Sequence, residues 1–595
     1  MRKLFSKHIE IAWLKKAENA IGKFSIGESW LFYILATVMI ASSLFIINKV
    51  NNQFSVTIPS HGGTIAEGIV GSPRFINPLL AISDADRDLS SLVFSGLLRA
   101  NADGTLAPDL AEKYEISSDG LVYTVTLKKN AQFQDGEPLT VDDVIFTIEK
   151  TKDPDIKSPR RAEWDRVTVE KVSENVVSFH LPKPYYPFVE NLTLGIIPKN
   201  LWKNETVEEF TFSLKNINPI GSGPFKIDKI IKNNKGIPTE YDLVAFSKYA
   251  SGEPYLKNIK VKLYPNEQDM LNAWRNGDID SIGGISPSET GSLSDAGANI
   301  KLLTLPRVYG VFFNQNQASV FTEKAVRVAL DEAVDKDMLL KKVLYGYGSA
   351  LNGPLPSDTF NLNNAPYSTS DQNASTTTDR IAKAKDILAK AGWALNKETG
   401  TLEKKTKTKK STTVNTLSFS ISTPNIPELK EVAEFVSNTW NALGAKTDVK
   451  LFELSDLSQN VIRPRKYDAL LFGQVIGRNP DLFAFWHSSQ RNDPGYNIAL
   501  YANNTVDKLL NDAREAKNQD DQYNIVKKIY DEINKDVPAI FLYSPDYIYV
   551  LPNNIKGFKS GFIASPSERF AGIANWYINE SKVWKIFAPK TSTNN

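Results

Sequence analysis

The sequence predicts a mixed α+β protein of more than one lobe, preceded by a single membrane-spanning helix. Three observations lead there. Trp30 to Ile47 runs for eighteen residues without a charge. Short strands patterned with period two alternate with single amphipathic helices through the rest of the chain. Roughly 530 residues follow the apolar stretch, more than the roughly 250 to 300 that one hydrophobic core organises.

The apolar stretch, WLFYILATVMIASSLFII, reaches about 27 Å at about 1.5 Å per helical residue, close to the roughly 30 Å hydrocarbon thickness of a bilayer. Arg2, Lys3, Lys7, Lys15, Lys16 and Lys23 all precede it. Basic residues are retained on the cytoplasmic side, so the amino terminus is expected inside and the remainder outside, as a single-pass plasma-membrane protein. A cleaved signal peptide competes, with Ala41, Ser42 and Ser43 as its cut site. Cleavage there leaves Leu44 to Ile47 as an apolar new terminus, and the basic leader is long for a signal. A buried core helix would show a polar face, which is almost missing here. The expected order is therefore a cytoplasmic basic tail over 1–28, a transmembrane helix over 29–48 and a polar tether over 49–61 that spans about 20 Å as a random coil. The tail reads equally as an amphipathic surface helix or a solvated segment.

Charge and cysteine content exclude several classes. The chain carries a formal +2, and residues 1–29 hold six basic and three acidic side chains, which leaves −1 for residues 30–595. The basicity belongs to the tail, and the outer part lacks an electrostatic footprint for nucleic acid. Without cysteine there is no disulfide framework, thiolate metal site, cysteine nucleophile or lipidated cysteine anchor.

From Gly62 onward the elements follow in order. Thr64 to Val70 is a strand broken at Gly71, Ser72 and Pro73, and Asp84 to Leu98 reads as a helix with Leu89, Leu92, Val93, Leu97 and Leu98 inward. Tyr114 to Lys128 is a hairpin turning at Asp119 and Gly120, because Leu121, Tyr123, Val125 and Leu127 alternate with more polar neighbours. Thr140 caps a helix continuing through Val144, Ile145 and Ile148, its hydroxyl placed to accept the Asp143 N–H. Val167 to Val172 and Val176 to Leu181 pair next, and Asn218 to Pro224 leads into a strand at Phe225. In the second half, Val308 to Asn314 is a strand and Thr322 to Val334, Asp379 to Ala391 and Pro427 to Leu443 are helices. Lys404 to Lys410, KKTKTKK, reads as a solvated hairpin tip. Tyr467 to Gln474 is a strand, Thr505 to Ile533 is one or two helices, and Val537 to Tyr543 is an apolar run of strand length.

The search for chemistry returns little. His8, His61, His180 and His487 show no metal-ligand spacing, Asp278 and Asp280 fail as a calcium loop, and Gly221-Ser222-Gly223 lacks the spacing of a nucleophile elbow. No cofactor or metal is expected. Carboxylates are plentiful, so a carboxylate pair of the kind glycoside hydrolysis needs stays open. Aromatic residues beside Gly, Pro and Asn turns suit a ligand cleft.

Several ordered segments resemble one family. Gly62-Gly63-Thr64 with Ser72 to Leu79 (SPRFINPL), Asp109-Leu110-Ala111-Glu112, Gly120 to Thr124, Phe133 to Thr140 (FQDGEPLT), Gly221 to Phe225, and Asn479 to Phe483 with Trp486-His487-Ser488 resemble the oligopeptide/dipeptide substrate-binding proteins of ABC importers, solute-binding protein family 5. The match runs from about Gly62 to about Gly557. The resemblance implies a two-lobed, periplasmic-binding-protein-like fold of the hinged class II type. Lobe I would join 62–304 with 541–590, lobe II would be 305–540, and Val537 to Tyr543 would be a crossing strand. It also implies a non-enzymatic receptor, monomeric, that closes on a peptide or other small solute and hands it to permease subunits driven by cytoplasmic ATPases. Candidate cleft residues carried over on that basis are Ser72, Phe75, Asn77, Tyr309, Asn314, Gln474, Ile476, Arg478, Phe485, Trp486 and Asn497, with Trp486 foremost. One departure limits the substrate: peptide-binding members hold the ligand's α-amine with an aspartate four residues before the proline matching Pro480, where this chain has Ile476. Arg478 is expected either to hold a carboxylate or to lie exposed. The rivals are a membrane-anchored surface hydrolase of peptidoglycan or glycan fragments and a ligand sensor signalling through the tail.

Overall fold

The computed structural model describes residues 22–356, 376–407 and 412–588. The chain divides into two units, one of residues up to Ser60 together with Asn579 onward, the other His61–Ile578. Most of the basic tail and the last three residues of the KKTKTKK run, 408–410, lie outside the described residues. The first four residues of the run belong to strand Leu402–Lys407, which pairs antiparallel with Thr412–Thr416.

In the first unit the apolar stretch is helical over Ile26–Phe54, with no buried residue and a mean hydropathy of 2.2 over its best window. Ser25 and Glu28 close its start as a capping box, the Ser25 N–H donating to the Glu28 carboxylate at 2.8 Å. The expected tether is different in kind. The helix continues through Asn48 and Asn52 to Phe54, and Ser55–Ser60 is a strand paired antiparallel with Asn579–Trp584. A polar, aperiodic segment reads as coil, and its partner lies more than five hundred residues away.

The second unit is organised around one long strand, Ala539–Val550. Its first half pairs antiparallel with Arg307–Phe313, and its second half with Ile300–Thr304. Two half-sheets therefore share this strand. On one side lie Arg307–Phe313, Ala469–Val475, Ser418–Pro424 and Lys446–Phe452; on the other, Ser281–Gly283, Thr64–Val70, Asn258–Tyr264, Pro238–Ala245 and Phe225–Lys232.

The cores divide along the same line. Ile540 and Leu542 enter one core with Val311, Phe313 and Trp440, while Phe541 enters another with Val308, Phe312 and Trp486. Both faces of this strand are covered, which is why its sequence is continuously apolar instead of alternating. Tyr547 and Tyr549 belong to the opposite lobe, packed with Ile65, Leu89 and Trp576. Ser544, Pro545 and Asp546 lie between these two groups of core residues. In the first lobe a four-stranded sheet of Ala111–Ile116, Val122–Leu127, Val176–His180 and Thr168–Ser173 carries its own core around Tyr123, Trp164 and Phe188.

Two local expectations change. The helix from Asp84 stops at Val93, because the Val93 carbonyl is taken by the Gly223 N–H at 2.8 Å and the Gln134 amide at 3.1 Å; Leu98 opens a separate strand. At Thr140 both the N–H and the hydroxyl donate to the Asp143 carboxylate, at 2.9 and 2.7 Å. The first lobe is also tied by a buried ion cluster. Arg569 grips Asp88 with two bonds of 2.7 Å and Glu67 at 3.0 and 3.2 Å, and Tyr549 donates to Glu67 at 2.9 Å. Burial pushes both carboxyls up and Arg569 opposes it.

Candidate functional site

A cavity of about 680 Å³ lies between the lobes. One wall comes from the first lobe: Tyr114 on its small sheet, Tyr186 and Glu190 from the Pro184-Tyr185-Tyr186-Pro187 turn onward, and Asp546 on the shared strand. The other comes from Arg478, Asn479 and Pro480 and from Gln522 and Tyr523 on the helix Gln519–Asp536. Asn479 is fixed by reciprocal amide bonds to Gln522, at 2.8 and 3.2 Å. Aromatic faces and a few oriented polar groups are the composition expected of a small-molecule site.

Hydrogen bonds and an ion pair cross the cleft. Arg478 Nη1 donates to the Gly104 carbonyl at 2.9 Å, and its Nη2 pairs with Glu568. The Tyr185 hydroxyl donates to Asp481 at 3.1 Å, and Asp481 is held in turn by Arg514 at 2.8 Å. Arg514 stacks over Phe483, 3.9 Å from its centroid.

The cavity is electronegative. Asp103, Glu190 and Asp546 line it against one cation, Arg478, whose charge is already matched by Glu568. Burial pushes the Glu190 carboxyl up to about 7, against the pull of Arg478 and the Asn479 N–H, and burial raises Asp546 as well.

Of the eleven expected residues, Arg478 alone borders this cavity. It does not lie exposed: its side chain is 8% exposed and pairs with the chain's own Glu568. Ser72 is exposed and outside the cavity lining, and Phe75 packs on the first lobe's core, under the Arg74 guanidinium. Asn77, Asn314 and Asn497 are buried and bond to backbone or neighbouring amides: Asn77 to Asn216 at 2.9 Å, Asn314 to the Arg465 carbonyl at 2.8 Å, Asn497 to the Tyr501 carbonyl at 2.9 Å. Each holds a turn. Tyr309 stacks on Tyr543 at 5.0 Å. Ile476, Phe485 and Trp486 pack into one core of the second lobe, Trp486 between Phe312, Tyr501 and Phe541. Gln474 is buried with neither amide atom paired and lies outside the cavity lining. Sequence reading missed Tyr186, Glu190, Gln522 and Asp546. Only the aromatic and proline turn at 184–187 carried a signal, as a loop of the kind that walls clefts.

Comparison with known proteins identifies the family. Residues 105–497 match the family described as bacterial extracellular solute-binding proteins, family 5 Middle. The oligopeptide-binding protein AppA of Bacillus subtilis is 28% identical over 575 residues, covering 95% of this chain and all of the relative. The dipeptide-binding protein of Escherichia coli is 22% identical over 523 residues, covering 82% and 90%. Among solved structures, Bacillus subtilis AppA in complex with a nonapeptide superposes with a TM-score of 0.65 at 28% identity, covering 88% of this chain and all of that one. The ABC transporter substrate-binding protein CtaP of Listeria monocytogenes gives 0.71 at 26%, covering 87% and 99%. This chain belongs to the bacterial extracellular solute-binding proteins of family 5.

Proposed function

We propose that the chain is a membrane-anchored, extracytoplasmic receptor that closes its two lobes around a peptide and delivers it to an ABC importer of permease and ATPase subunits. The observation that carries this reading is the cavity of about 680 Å³ between lobes that share one strand. A ligand touching both walls favours the closed arrangement by the difference between its affinities for closed and open forms, and the permease senses that arrangement. The receptor releases its guest unaltered. Its anchor is the unburied helix Ile26–Phe54, with the amino terminus on the cytoplasmic side, and it works as a monomer.

The charge of the cavity supports a ligand bearing an ammonium group. Ile476 occupies the sequence position where peptide-binding members carry an amine-holding aspartate, and it is buried in the core. Glu190 and Asp546 supply carboxylates from the opposite lobe. The full chain, purified in detergent, is expected to release a peptide detectable by mass spectrometry and to gain thermal stability from amine-bearing peptides. No co-purifying solute and no thermal shift across a peptide library would refute the receptor reading. Turnover of labelled peptidoglycan fragments would favour a hydrolase.

A further inference from the structure

The carboxyl-terminal strand does not end in free solution. Asn579–Trp584 runs antiparallel to Ser55–Ser60, from Asn579 opposite Ser60 to Trp584 opposite Ser55, and so heads toward the end of the apolar helix. It is fastened there by three bonds. The Trp584 indole N–H donates to Asn51 Oδ1 at 2.7 Å, the Lys585 N–H to the Phe54 carbonyl at 2.8 Å, and Lys582 Nζ to Asn52 Oδ1 at 3.3 Å. A turn follows, the Phe587 N–H donating to the Trp584 carbonyl at 2.9 Å.

That turn presents apolar side chains outward. Ile586 is 77% and Phe587 76% exposed, next to Trp584 at 46% and Phe54 at 52%. At about 1.5 Å per residue, Asn51 stands about 6 Å and Phe54 about 10 Å beyond Ile47 along the helix. The headgroup layer occupies about 5 to 7 Å on each side of the hydrocarbon. Asn51, which the Trp584 indole meets, thus lies at the headgroup level where aromatic side chains collect in membrane proteins, and Phe54 lies just outside it, with Lys49, Lys582 and Lys585 near in sequence. Exposed apolar groups that are continuous with an unburied apolar helix share its solvent.

We infer that Trp584, Ile586 and Phe587 form a second membrane contact, seated in the outer headgroup layer beside the helix, with lipid as their partner. This rests on reading Ile26–Phe54 as a membrane span. The segment that follows the helix is then a hydrogen-bonded ribbon of Ser55–Ser60 and Asn579–Trp584, not a random coil.

The absence of cysteine from the chain makes the test direct. Full-length Phe587→Cys, Ser581→Cys and Phe45→Cys variants, each carrying an environment-sensitive fluorophore, are reconstituted in phosphatidylcholine vesicles containing phosphatidylglycerol. The probe at 587 should emit to the blue of the probe at 581 and be quenched several-fold more by lipids spin-labelled near the headgroup. The probe at 45 should be quenched by lipids labelled deep in the acyl chain. Solvent-like emission at 587 with deep quenching at 45 overturns the second contact and leaves the anchor standing. Loss of quenching at both positions removes the anchor reading and this inference with it. Shielding at 587 that follows protein density and not lipid quencher indicates contact between copies, and overturns lipid as the partner.

Discussion

Arg478 and Glu568 form an ion pair across the cleft, one from each lobe, and Arg478 also donates to the Gly104 carbonyl at 2.9 Å. The pair is nearly enclosed, with side chains 8% and 25% exposed. It therefore gains more from attraction than a surface pair, while the loss of either partner strands a desolvated charge. Arg478→Ala should shift the empty receptor toward open forms. A FRET pair on cysteines introduced into the two lobes would report longer distances, and peptide affinity should fall on the order of tenfold, since the ligand alone must then hold the lobes closed. An unchanged distance distribution would show that the pair does not latch the cleft.

Glu190 is expected to make the receptor sensitive to pH near neutrality. Burial lifts its carboxyl from the ordinary 4.5 to about 7. The folded protein thus binds this proton more tightly than the unfolded chain. Its contribution to stability is fully present below about 4.5, declines as pH rises toward about 7, and is level above that. Glu190→Gln should flatten that part of the melting-temperature profile. An amine-bearing peptide favours the ionised form, so its affinity should drop as pH falls through about 7 in the wild type and much less in the variant. Equal pH slopes for the two proteins in titration calorimetry would remove Glu190 from ligand recognition.

Arg569 neutralises two carboxylates in the first lobe's interior, 2.7 Å from Asp88 and 3.0 Å from Glu67. Replacing it with Met leaves both acids buried without a cation, at a cost of about 3 to 5 kcal/mol. Denaturant unfolding should show that loss. Adding Glu67→Gln and Asp88→Asn should recover part of it, because neutral amides cost less to bury. A loss below about 1 kcal/mol would mean that water reaches the cluster.

Trp486 discriminates between a core role and a ligand role. It is fully buried against Phe312, Tyr501 and Phe541 and does not line the cavity. Trp486→Ala should cost about 3 to 5 kcal/mol of stability. Trp486→Phe should keep peptide affinity within about twofold at a temperature where the variant is folded. A large affinity loss in that variant, with stability intact, would return Trp486 to the binding site.

Local patterning in the sequence determined much of the chain. An uncharged run too long and too uniform for a core helix gave the helix around Trp30 to Ile47. Alternation gave Val122–Leu127, and terminal Gly and Pro signals gave Pro427–Leu443 and the helix ending before Gly392. These features depend on neighbours within a few residues, and periodicity reports how an element meets its own core. The family resemblance supplied the two-lobed plan, because many short segments kept their order along the chain.

Tertiary structure decided which side chains line the cavity. The cavity draws Tyr114, Glu190, Arg478, Gln522 and Asp546 from well-separated segments, and no local pattern marks a residue as facing the other lobe. Asn77, Asn314 and Asn497 have the chemistry of ligand contacts yet are consumed by backbone turns. The strand Ser55–Ser60 exists only because Asn579–Trp584 returns to pair with it. A strand's hydrogen bonds and a pocket's walls come from partners distant in sequence, so they are fixed by packing of the whole and not by composition at the site itself.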